Sequence, residues 1–216
     1  MKPLKTELQD AETLRDLGSA SVQIVHDLKN QLNGLKLYAT FLRKRMEKAE
    51  RPADEQETLA KLISGLERAA SDMNVLVRFG RALELRRQPG TDLARLLQDS
   101  ADGASVETDG GPFEGDFDPL LLAEALKNIT AGAYGESGAA EEESGGPPRV
   151  RLTGDGAGAL VEWQGAAPAD GEEPFRSLAG AAGLRMALAA KIIRAHGGEV
   201  SSEGGRIRAR LPLQER

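Results

Sequence analysis

Two stretches of the chain carry apolar residues at a helical spacing. The first places Val25, Leu28, Leu32, Leu35, Ala39, Leu42 and Met46 at steps of 3, 4, 3, 4, 3 and 4. The second repeats this with Leu59, Leu62, Leu66, Ala69, Met73, Leu76, Gly80 and Leu83. An average step of 3.5 residues is the spacing of helices packed along a common seam. "AERPADE" separates the two, with Pro52 suiting a turn and Asp54 an N-cap for the second helix. Two helices joined by so short a break fold back as an antiparallel hairpin. Ile24, Leu37, Phe41, Ile63 and Val77 widen the apolar stripe beyond what one hairpin buries. Two hairpins pairing as a dimeric four-helix bundle would cover it, and so could the second half of the chain.

The pattern changes after residue 88. "QPGTDLARLLQDSA" reads as a helix capped by Thr91, and "SVETDGGPFEGDFD" as a hairpin or two short strands. "DPLLLAEALKNITAGA" is a helix with Asp118 as cap and Pro119 at its first position, where proline is favoured. "PRVRLTGDGAGALVEWQG" alternates apolar and polar about a Gly/Asp turn, predicting a hairpin. "AAGLRMALAAKIIRAHGG" is a helix stopped by glycine, and "GEVSSEGGRIRARLPL" a last hairpin. "YGESGAAEEESGGPP" is an acidic, glycine-rich loop. The expected fold is α+β, a helical hairpin over residues 1–88 followed by an α/β sandwich over 89–216, with helices on one face of a mixed sheet.

Composition narrows the chemistry. There is no cysteine, so disulfides and thiolate metal sites are excluded, and two distant histidines make a histidine metal site a poor expectation. Aromatics make up 4% of residues, which leaves the core to Leu, Ala, Val and Ile. The net charge of −6 divides as +2 over residues 1–86 and −8 over residues 87–216. Such an acidic balance without a basic stripe argues against nucleic acid as a partner. No apolar run reaches the length of a membrane span, and "MKPLKTELQD" has no apolar signal core, so a cytoplasmic protein is expected.

The candidate chemistry lies in "SVQIVHDLKNQLNGLKLYATFL". On a helix Gln23, His26, Asn30 and Asn33 form a polar stripe beside the apolar seam. A surface helix needs polar residues, and a histidine can be one of them. Imidazole is also a nucleophile and proton carrier near neutral pH, and a carboxylate such as Asp27 can fix its tautomer. Asp27 is adjacent in sequence, so its side chain would have to bend back to face the ring. His196, before Gly197-Gly198 at a helix end, reads as structural, its charge favoured by the helix dipole. Trp163 is expected in the sheet core.

"HDLKNQL" resembles the H-box of two-component sensor histidine kinases. The resemblance implies His26 as phosphoacceptor, Asp27 as its acid/base partner and Asn30 as the residue orienting water or phosphoryl. Gln31 stands where that family usually has proline. The stretch "AGLRMALAAKIIRAHGGEVSSEGGRIRARLPL" is similar to the last third of the family's ATP-binding domain, and "DPLLLAEALKNITAGA" to its N-box helix. Order and spacing agree over residues 20–214.

The departures gather where that family binds nucleotide. Its N-box has two asparagines four apart that reach the phosphates through Mg²⁺; here they correspond to Asn128 and Gly132. No aspartate stands in register for the adenine amino group, where Gly165, Ala166 and Ala167 occur. The Gly-x-Gly-x-Gly positions of the G2 box hold Ala181, Gly183 and Arg185, and the bulk of Arg185 would occupy the turn. An adenine donor left unpaired costs about 1–3 kcal/mol, a lost Mg²⁺ ligand weakens charge neutralisation, and a Cβ in place of a turn glycine keeps backbone N–H groups from the phosphates. No nucleotide cofactor is therefore expected, and Mg²⁺ only on a partner.

The resemblance then implies a histidine phosphotransferase, without a fused sensor domain, that exchanges phosphoryl groups with the aspartates of response-regulator receiver domains. Gln23, Asn33, Arg78 and Arg81 would line the docking face. The alternatives are a non-catalytic pseudokinase scaffold that binds a receiver or a kinase, an atypical ATP-dependent histidine kinase, and a receiver phosphatase resting on Asn30.

Overall fold

A computed structural model describes residue 25 and residues 28–44, 53–101, 103–134, 148–156, 158–166, 174–176, 178 and 180–214. The acidic loop, apart from its flanking Tyr134 and Pro148, lies outside these residues. The chain divides into two compact units, Met1–Ala82 and Leu83–Arg216.

In the first unit, helix α1 spans residues 28–44 and helix α2 spans Ala53–Gly80. Ala39, Leu59 and Ile63 are buried together with Leu66 packed against them. Lys36 pairs with Glu67 at 2.8 Å. Position 36 meets 67 while position 39 meets 59 and 63, so the helices run antiparallel, as the short break requires. Several details differ from the sequence reading; among them, Leu28, Leu35, Leu42 and Leu76 of the expected seam are exposed. Asp54 lies inside α2, not at its cap. Leu83 falls beyond the helix end at Gly80. Ile63 takes the seam position expected of Leu62, which is 52% exposed, because a 3.6-residue helix drifts against a 3.5-residue pattern.

The second unit is a mixed five-stranded sheet with helices packed on it. Its elements are β1 (Gln88–Asp92), α3 (Leu93–Ser100), β2 (Ser105–Asp109), β3 (Glu114–Phe117), α4 (Pro119–Tyr134), β4 (Arg149–Asp155), β5 (Gly158–Gln164), α5 (Gly180–Ala195), β6 (Glu199–Glu203) and β7 (Arg206–Pro212). The sheet order is β2-β4-β5-β7-β6, with only β2 and β4 parallel. Strand alternation sends Val150, Leu152, Val161, Trp163, Ile207, Ala209 and Leu211 to one buried face. The opposite face carries Arg151, Glu162, Arg208 and Arg210, joined by ion pairs such as Arg208 to Glu162 at 2.9 Å. The Trp163 indole N–H donates to Thr130 of α4 at 2.9 Å, tying helix to sheet.

The β4–β5 and β6–β7 hairpins form as expected. The stretch over 105–117 does not pair with itself: β2 joins the main sheet, while β3 pairs with β1 in a two-stranded sheet. The cap of α3 is Asp92, whose Oδ1 accepts from Ala94 N–H at 2.9 Å and Arg95 N–H at 3.3 Å. Thr91, the expected cap, lies within β1 instead and its hydroxyl donates to Gln88 O. Among the described residues no helix is long and apolar enough to cross a membrane.

Candidate functional site

Asn30 and Asn33 sit three residues apart on α1, and both are exposed. The seam turns Leu32 and Ala39 inward, which leaves this polar side of α1 to solvent. Arg78 lies in the last turn of α2, where a cation suits the helix dipole, and Arg81 follows just past its end. Because the hairpin is antiparallel, both arginines come from the end of α2 that meets the start of α1. Gln23, His26 and Asp27 lie outside the described residues.

In the second unit, α4 begins where Asp118 Oδ1 accepts from Leu120 N–H at 3.1 Å and Leu121 N–H at 3.0 Å. Its other oxygen accepts from Arg86 N–H at 2.8 Å. Burial alone would raise the pKa of this carboxyl, but the three backbone donors outweigh it and hold it below 3.8. Further along α4, Asn128 is half-buried and Gly132 presents its backbone to solvent. A Cβ at Gly132 would overlap the sulfur of Met186 on α5 and lie 2.8 Å from its Cγ. A side chain at position 132 would thus have to displace the Met186 thioether. By resemblance the sequence marked position 132 as a departure from the N-box; the residue packed against it came from α5 and carried no local signal.

Gly165 closes β5 in a turn with φ of +71°, a left-handed conformation that favours glycine. Gly183 and Arg185 are not in a turn: both lie within α5, which begins at Gly180. Arg185 therefore projects from a helix and does not fill a loop, which corrects the reading of that position.

His196 is buried at 1% exposure. Its Nε2 accepts from Asp118 N–H at 3.0 Å, while Nδ1 lies 2.8 Å from Ile192 O and donates to it. One ring nitrogen accepts and the other donates, so the ring is neutral. Burial pushes its pKa below 6.5, and Arg87 adds to this. The structural role stands, but it works through a neutral hydrogen-bonded ring and not through a charge on the helix dipole. Arg87 donates to Ala195 O at 3.0 Å and caps that helix end instead.

Among solved structures the chain is similar to full-length ShkA in complex with AMPPNP, with a TM-score of 0.66 and 19% identity over 90% of this chain. It is likewise similar to histidine kinase ThkA in complex with response regulator protein TrrA, with a TM-score of 0.61 and 16% identity over 98% of this chain. Its fold is that of the two-component histidine kinases. Histidine kinase AdeS of Acinetobacter baumannii is a third similar structure, with a TM-score of 0.51 and 15% identity over 88% of this chain and 98% of that one. The chain spans 45% of the ShkA chain and 66% of the ThkA chain. No family model and no curated protein matches the sequence.

Proposed function

We propose that this protein is a histidine phosphotransferase of a two-component phosphorelay. It works as a homodimer paired through its hairpins and exchanges phosphoryl groups between His26 and receiver aspartates without nucleotide. The observation that carries this reading is a histidine-kinase fold in which position 132, assigned by resemblance to an Mg²⁺ ligand, is a glycine pressed against Met186. A receiver partner is supported by the likeness to ThkA in complex with TrrA.

The transfer needs little from the protein beyond position and charge. The unprotonated nitrogen of the neutral His26 ring attacks the phosphorus of a receiver aspartyl phosphate. A P–N bond forms, the P–O bond to the carboxylate breaks, and its electron pair stays with the aspartate. The proton on the other ring nitrogen remains there, and Asp27 stabilises the cationic phosphoimidazole. Asn30 orients the phosphoryl oxygens. Attack by the aspartate of a second receiver reverses the step. Mg²⁺ is supplied by the receiver. Gln23, Asn33, Arg78 and Arg81 make the docking face.

Incubation with a ³²P-phosphorylated receiver tests the reading. The protein is expected to take up acid-labile, base-stable label, and His26→Ala to lose it. Label persisting in His26→Ala, or acquired by the wild type directly from Mg-ATP, overturns it.

A further inference from the structure

By resemblance, Asn128 and Gly132 on α4 and positions 181–185 on α5 would flank the phosphates of a nucleotide. In this fold the two helices meet at that place. Met186, the residue after Arg185, is 3% exposed. Its Cγ and Sδ stand where a side chain at 132 would begin, and its Cε lies 3.4 Å from a Cβ built there. The neighbouring surfaces allow a close approach. Ala133 on α4 and Ala187 and Ala190 on α5 are buried, and small side chains let helices approach closely. Methionine is long and unbranched enough to fill the remaining gap.

We propose that Gly132 and Met186 form a helix–helix contact that occupies the place where, by resemblance, the phosphates of a nucleotide would lie. Exclusion of nucleotide is then set by packing between α4 and α5, and not by missing ligand groups alone. This rests on the nucleotide-free reading and specifies how it is enforced. The two residues are coupled: any Cβ at 132 must displace a buried thioether, so restoring an asparagine there does not restore a binding site.

The sign of one substitution is informative. Inside a helix, glycine to alanine is favourable by propensity, so Gly132→Ala would raise the melting temperature if position 132 were open. With Met186 against it, the substitution lowers it by ~5 °C or more. Met186→Ala loses packing and melts lower too. The Gly132→Ala/Met186→Ala double variant is expected to melt higher than the sum of the single shifts allows, because the alanine at 132 enters the vacated space. A Gly132→Ala variant as stable as the wild type, or additive shifts, overturns the contact. Addition of Mg-ATP to Gly132→Asn is expected to leave its melting temperature unchanged. A rise confined to that variant shows that a ligand group alone was missing and overturns the packing explanation. A rise in the wild type would instead sink the phosphotransferase reading, whatever the packing cycle shows.

Discussion

Asp118 and His196 are 78 positions apart and share one hydrogen bond on which several segments depend. Asp118 caps α4 and holds Arg86, its N–H is taken by His196, and His196 closes α5. Replacing His196 with leucine leaves a buried N–H without an acceptor, for a loss of about 1–3 kcal/mol. The pH dependence has a definite sign. The folded ring binds its proton more weakly than the unfolded ring, so below pH 6.5 the unfolded chain gains protons that the folded chain does not. Wild-type stability should be flat with respect to this group at pH 8 and fall as the pH drops through 6.5 toward 5. His196→Leu should lack that fall. Urea unfolding of both proteins across this range measures it, and parallel curves would refute it. His196 was legible as structural from its glycine neighbours, but its neutral state required the position of Asp118.

At the scale of elements, periodicity and caps carried most of the information. The Asp118-Pro119 start of α4, the Gly197 stop of α5 and the two hairpins of the main sheet all arise from local chemistry, and local chemistry is written in sequence. The α3 cap missed by one position because Thr91 and Asp92 are both good caps; Asp92 accepts from Ala94 and Arg95 N–H, while the Thr91 hydroxyl donates back to Gln88 O. The partner of β2 was not legible either, since strand pairing is a long-range choice. The packing of α4 on the sheet includes a polar contact as well as apolar burial. Thr130 receives the Trp163 N–H and passes its own proton to Leu126 O. Thr130→Val keeps the volume but leaves the indole unpaired. It should cost about 1–3 kcal/mol, read from the fluorescence of the single tryptophan during urea unfolding; an unchanged midpoint would contradict it.

For the whole molecule, the hairpin raises the question of assembly. Leu35, Leu37, Tyr38, Phe41 and Leu42 of α1 are each more than half exposed, as is Leu62 of α2. So much exposed apolar surface on adjacent turns marks an interaction face. In the proposed homodimer it pairs with its copy. Light scattering at micromolar concentration should give about twice the chain's 23.0 kDa. Leu37→Glu together with Phe41→Glu should give the monomer mass, since two buried like charges per copy oppose association. A wild-type monomer would remove the dimer from the proposal. The proposed H-box residues rest on resemblance and on their place beside a heptad seam. The proposed docking face depends on the antiparallel hairpin, which brings Arg78 and Arg81 to the end where α1 starts.

Short-range physics explains what this sequence determined by itself. Helix periodicity, glycine stops, capping residues and two-residue alternation act over a few positions, and they specify a helical hairpin followed by an α/β unit. By resemblance, the sequence also places a glycine at position 132 where the histidine-kinase N-box has an asparagine. Tertiary structure alone decided what fills that position, which strands are neighbours and which state His196 holds. Each of these depends on a residue far away in the chain: Met186 on α5, β4 beside β2, and Asp118 at the start of α4. A glycine in the sequence is an absence, and only the packed fold shows that a thioether occupies its space.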